Sequence, residues 1–177
     1  MIHIILYHPE IPQNTGNILR TAMATNSFVH IIGPIPFDIS DKALQRAGMD
    51  YIKDAKFDYY NSYEEFQESF KNKKIYYVTK YGANVYSQVD LSDKTEDVYV
   101  MFGRESTGID KEILSAHKDM TLRIPMMSTA RSLNLSNSVA IVVYEILRQK
   151  EFPGLASFDM IKKYTIWVKI WKMCTFL

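Results

Sequence analysis

RIPMMSTARSLNLSNSVAIVVYE, residues 123–145, passes from a short apolar run through a cluster of hydroxyls and amides and back into an apolar pattern. Over 134–149, Leu135, Val139, Val142, Val143, Ile146 and Leu147 fall at i, i+4, i+7, i+8, i+11 and i+12, the stripe of a helix that buries one face. The run ahead of the polar cluster, MTLRIP at 120–125, is one of a series of β-rich segments: IHIILY at 2–7, FVHIIG at 28–33, KIYYVT at 74–79 and DVYVMFG at 97–103. Each is nearly continuous in apolar residues, as strands covered on both faces are. Helical patterns lie between them: 15–25, carrying Ile18, Leu19, Ala22 and Met23; 62–70, opening with a Ser-x-x-Glu capping box; and 110–118. Strand alternating with helix predicts an α/β fold, a mostly parallel sheet with helices on both faces.

The chain's 177 residues and 47% hydrophobic content fit one compact domain with its own core. Cys174 is the only cysteine, which excludes an intrachain disulfide and a thiolate metal site and points to a reducing, cytoplasmic setting. The opening MIHIILYHPEIP lacks a basic leader, and Glu145 interrupts the most apolar late stretch, so no signal peptide or membrane span is expected. Lys and Arg number 21 against 20 Asp and Glu; any site for a polyanion must therefore be local. His3, His8, His30 and His117 are far apart with no zinc-ligand spacing, and no metal is expected.

In a parallel sheet the ligand sits beyond the carboxyl ends of the strands, which singles out HPEIPQNTGN, GRESTGID and MMSTARSLN. In the first, Asn14, Asn17 and Arg20 are spaced three apart and share one arc of a helix, with Gly16 beside them; a capping Asn and a solvated Arg would look the same. The second has Gly103 and Gly108 at phosphate-loop spacing, but Ile109 and Asp110 stand where Lys and Ser or Thr are required, and no GxGxxG follows any strand. What remains is a glycine-rich turn carrying Arg104 and Glu105. In the third, Ser128, Thr129, Arg131, Ser132, Asn134, Ser136 and Asn137 exceed what capping one helix requires. Buried hydroxyls and amides cost about 1–3 kcal/mol each when orphaned, so the cluster predicts a polar ligand or a turn of backbone that needs partners.

Taken in order, NTGNILR at 14–20, MFGRESTGI at 101–109 and IPMMSTARSLNLSNSVAIVVYE at 124–145 resemble the three motifs of the SPOUT superfamily of RNA methyltransferases, in the branch that methylates the ribose of the tRNA wobble nucleotide. The likeness runs from LYHPEIPQNTGN through QRAGMDY at 45–51 to YEILRQKEFPG. It implies an α/β domain over 1–154 with a trefoil knot near its C-terminal end, a homodimer, S-adenosylmethionine as donor and a tRNA anticodon stem-loop as substrate. Carried over by position, the cofactor would touch Val78, Gly103, Ile124 and Ser132, with Asn134 close by; Arg20 and Asn14 would serve the chemistry, and Glu105 stands as a rival proton acceptor. Arginine is too weak an acid to act as base, so Arg20 is expected to bind phosphate and stabilise alkoxide charge. RNA contacts are expected of Arg46, Lys53, Arg131 and Arg148, each of which could instead be a solvated cation. Ribose methylation at another tRNA or rRNA site, and a catalytically silent RNA-binding module, are the alternatives. Beyond the resemblance, 155–177 carries Met160, Tyr164, Trp167, Trp171 and Cys174 at spacings of 4, 3, 4 and 3, an amphipathic helical extension that would pack on the body or on a dimer partner.

Overall fold

The computed structural model describes residues 1–38, 55–156 and 158. Seven strands form one sheet: β1 Ile2–Tyr7, β2 Phe28–Ile32, β3 Phe57–Tyr60, β4 Ile75–Val78, β5 Asn84–Val85, β6 Val98–Phe102 and β7 Thr121–Arg123. Their order is β3-β2-β1-β6-β4-β7-β5, with every pairing parallel. Among the described residues four helices cover it: α1 Pro12–Ala24, α2 Tyr63–Ser69, α3 Lys111–Ala116 and α4 Leu135–Gln149.

Strand alternation sends neighbouring side chains to opposite faces. Ile4, Leu6, Val98, Val100 and Phe102 meet Ile18 and Leu19 of α1 and Val139, Val142, Val143 and Ile146 of α4 on one face. On the other, Ile5, Tyr7, Tyr99 and Met101 meet Phe66 of α2, with Ile113 and Leu114 of α3 packed against them. The expected two-sided α/β sheet is therefore present, and the apolar stripe of α4 is buried as its spacing requires.

Two strands escaped the sequence reading. FDYY at 57–60 is an edge strand whose middle residues are exposed, so it lacks the continuous apolar run of a covered strand. The two-residue β5 is too short for any periodicity. Helix α1 begins at Pro12, three residues ahead of the expected 15, because proline's fixed φ suits the first helical position. Arg46 and Lys53 lie outside the described residues, as does nearly all of the extension expected over 155–177. No helix among the described residues is long and apolar enough to cross a membrane.

Candidate functional site

Strand order reverses beside β1: β2 and β3 follow it to one side, whereas β6 lies on the other. Beyond the carboxyl ends of β1, β6, β4 and β7 opens a cleft of about 530 Å3. Val78, Gly103, Ile124 and Ser132 all line it, together with Asn14, Glu105, Arg131 and Asn134. Residues up to 120 positions apart in sequence thus meet at one place because four parallel strands end side by side.

A hydrogen-bonded relay ties three loops together. The Asn134 amide nitrogen donates to Asn14 Oδ1 at 3.0 Å, and the Asn14 amide donates to Glu105 Oε1 at 2.8 Å. Asn134 is also the N-cap of α4: its Oδ1 accepts from the backbone N–H groups of Ser136 at 2.9 Å and Asn137 at 3.3 Å. The remaining capacity of Glu105 is directed at the start of α1, accepting from the N–H groups of Glu10 at 2.8 Å and Ile11 at 3.2 Å. Helix α1 has no side-chain cap and no acid in its first turn, so Glu105 supplies negative charge just ahead of that helix's positive end. Glu10 returns the contact, accepting from Ser106 N and Ser106 Oγ at 2.9 and 2.8 Å. Asn14 is consequently no N-cap; it sits inside the first turn, buried, and Gly16, two positions further along the helix, is buried too.

The 103–110 turn is held as firmly. Arg104 and Gly108 exchange two backbone hydrogen bonds at 3.2 and 3.0 Å. A Cβ on Gly103 would lie 2.2 Å from the carbonyl carbon of Gly108, so only glycine permits this closure. The Arg104 guanidinium donates to Asp110 at 2.9 Å and lies 4.9 Å from the centre of the Tyr7 ring. Tyr7 also donates to Asp110. That hydrogen bond, with the cation of Arg104, holds the Asp110 carboxyl below the ordinary range, while burial and the same bond push the Tyr7 phenol up.

One expectation needs correction. Ser128, Thr129, Arg131 and Ser132 are exposed, so the cost of burying hydroxyls does not explain the polar loop; water can satisfy them, and only Asn134 with its helix-start neighbours is engaged in a cap. Arg20 does not line the cleft: it is exposed on α1, six residues and about 9 Å of helix rise beyond Asn14. Arg148 is in the last turn of α4, where Glu145 accepts from its guanidinium at 2.8 and 2.9 Å. The sequence reading passed over the loop after β4, whose Lys80 and Tyr81 line the cleft with Lys111 of α3. A strand end followed by KYG was the available signal.

A profile of the SpoU rRNA Methylase family matches residues 1–144. The chain belongs to that family. The motif resemblance is thereby borne out. The chain is also 41% identical to the Escherichia coli tRNA (cytidine(34)-2′-O)-methyltransferase over 160 residues, covering 90% of this chain and 100% of the relative. A Bacillus anthracis structure, described as a candidate RNA methyltransferase, superposes with TM-score 0.85 at 46% identity, covering 90% of this chain and 100% of the other. A structure reported for the 2-OH methylation of C/U34 on tRNA gives TM-score 0.76 at 37% identity, covering 84% and 95%.

Proposed function

We propose that this SpoU-family chain transfers a methyl group from S-adenosylmethionine to the ribose 2′-hydroxyl of tRNA wobble nucleotide 34, cytidine in the first instance. The observation that carries the proposal is the convergence of Val78, Gly103, Ile124 and Ser132 with Asn14, Glu105 and Asn134 on one cleft. A cleft of this volume with mixed polar and apolar walls fits a nucleoside-bearing donor, and the tightly closed Gly103 turn offers main chain rather than side chain to it. When bound, that donor supplies an electrophilic methyl on a sulfonium sulfur.

Displacement at a methyl group requires attacking oxygen, carbon and leaving sulfur in line, so fixed geometry is the main contribution the chain can make. The relay from Asn134 through Asn14 to Glu105 holds the loops after β1, β6 and β7 in one arrangement. Glu105 already accepts three N–H groups and acts here as an organiser rather than as the acceptor of the hydroxyl proton. That proton passes to water or to a phosphate oxygen. Arg20, exposed on the Asn14 arc of α1 outside the cleft, binds substrate phosphate; Arg131 contributes a cation at the cleft itself, where alkoxide charge develops. Arg46 and Lys53 complete the proposed RNA contacts, and Arg148, already paired with Glu145, is left out of them. The same reading includes a knotted C-terminal half, a homodimer on one tRNA and a cytoplasmic location.

The test is incubation of the purified protein with labelled donor and total tRNA, followed by mass-spectrometric mapping. A methyl on the ribose of nucleotide 34 is expected. Labelling of ribosomal RNA alone, or of no RNA, overturns the assignment.

A further inference from the structure

The cleft continues past the residues assigned to the donor. Thr79, Tyr81, Lys111 and Leu114 also wall a second cleft of about 390 Å3, completed by Ser115, Lys118 and Thr121. The two share a side and form one trough along the loop after β4 and helix α3. The charged side chains lining it are Lys80, Arg104, Lys111, Lys118 and Arg131, against the single carboxylate of Glu105. Arg104 is paired with Asp110 and Glu105 is occupied by N–H donors, whereas no ion pair among the described residues engages the other four cations. In a chain of net charge +1, this concentrates positive charge on one surface.

An aromatic ring stands in the middle of it. Tyr81 is 70% exposed, yet the loop that presents it is fixed. Its N–H donates to Thr79 Oγ1 at 3.3 Å, Gly82 N–H to the Thr79 carbonyl at 3.2 Å and Ala83 N–H to Thr121 Oγ1 at 2.9 Å, while the Arg123 guanidinium donates to the Lys80 carbonyl. A Cβ on Gly82 would lie 2.3 Å from the backbone of Leu122, so the loop is pressed flat onto β7. Lys80 Nζ sits 5.0 Å from the Tyr81 ring centre. An exposed ring on an immobilised loop has little ordering cost left when it stacks on a base, and cations with hydroxyls around it suit a sugar-phosphate chain.

We infer that this trough binds single-stranded RNA flanking the methylated nucleotide, with Lys111 and Lys118 on phosphates and Tyr81 under an unstacked base. The inference rests on the proposed RNA substrate and adds the surface that holds it outside the reacting centre.

Tyr81→Ala, Tyr81→Phe and a Lys111→Ala/Lys118→Ala double variant separate the parts. Binding of an anticodon stem-loop RNA is measured over a range of salt, and affinity for S-adenosylhomocysteine is measured in parallel by calorimetry. Tyr81→Ala is expected to weaken RNA binding about tenfold, and Tyr81→Phe to restore it, since stacking needs the ring and not the hydroxyl. The double lysine variant should flatten the slope of log affinity against log salt by about 1.4, the contribution of two single-strand phosphates. Lys71→Ala, in the turn ahead of β4 at the other end of the sheet, is the control and should change neither quantity. If Tyr81→Ala weakens the homocysteine ligand and leaves RNA affinity intact, the ring belongs to the donor pocket and the inference falls. It falls too if the lysine variant keeps the wild-type salt slope. Wild-type protein that methylates tRNA while all variants bind it normally overturns the trough alone, whereas wild-type protein that neither binds nor methylates tRNA overturns the proposed function as well.

Discussion

At the scale of single residues, Glu105 shows how a side chain in a reactive cleft can be committed to architecture. Its two oxygens accept from Glu10 N, Ile11 N and the Asn14 amide, joining the loop after β6 to the start of α1. Replacing it with Gln keeps the shape but turns one acceptor into a donor, so at least one of those N–H groups loses its partner. Glu105→Gln is therefore expected to cost about 1–2 kcal/mol, a fall of about 4 °C in Tm, together with reduced transfer. A variant with unchanged Tm and abolished transfer would restore the carboxylate as proton acceptor. The residue type and its place in GRESTGID were legible in the sequence. Its partners were not, because two of the three are backbone groups some 95 positions away that only the pairing of β1 with β6 brings near.

At the scale of elements, Asn134 serves both as cap of α4 and as donor to Asn14, and the two roles separate by substitution. Asn134→Ala removes both and should cost about 1 kcal/mol along with transfer activity. Asn134→Asp keeps an oxygen acceptor for Ser136 N and Asn137 N but loses the N–H donated to Asn14. Thermal unfolding near the wild type with weakened transfer is expected; full transfer in the Asp variant would show that the Asn14 link carries nothing. Strands buried on both faces announced themselves through unbroken apolar runs, and α4 through its stripe. The edge strand Phe57–Tyr60 did not, because its middle residues face water and break the apolar run. Strand order is carried by which segments pair across long separations, and no local pattern encodes that. The loop after β4 was missed for a related reason: KYG is an ordinary turn until β7 is laid beside it.

At the scale of the whole molecule, the face of the sheet away from α1 and α4 contains a titrating chain with no part in the cleft. His30 is 2% exposed among Phe28, Tyr60, Phe66 and Phe70. One ring nitrogen shares a hydrogen bond with His3 Nδ1 at 2.9 Å and the other with the Tyr60 hydroxyl at 3.2 Å. His3 in turn lies near Asp97, which pairs with the N-terminal ammonium, and Lys73 adds a positive charge to the same surroundings. Burial, reinforced by His3, lowers the His30 pKa from 6.5 to about 4. Between those values the unfolded chain takes up a proton that the folded chain refuses, so stability is complete above about pH 6.5 and drains away as the pH falls towards 4. The loss attributable to His30 reaches about 3 kcal/mol at the acid end. His3 and His8, also lowered by burial, titrate in the same direction but are less enclosed, while lowered carboxyls such as Asp97 and Asp110 act only below this window. His30→Phe fits the aromatic surroundings and cannot titrate, though it leaves the Tyr60 hydroxyl only its longer bond to Asp58 at 3.5 Å and strands a His3 nitrogen, and so lowers stability at every pH. The informative quantity is the slope: urea unfolding at pH 7.5, 6, 5 and 4.5 should show the wild type losing stability steeply and the variant much less. Parallel curves would mean that His30 accepts its proton within the fold, and that this face of the sheet is less closed to water than its packing requires.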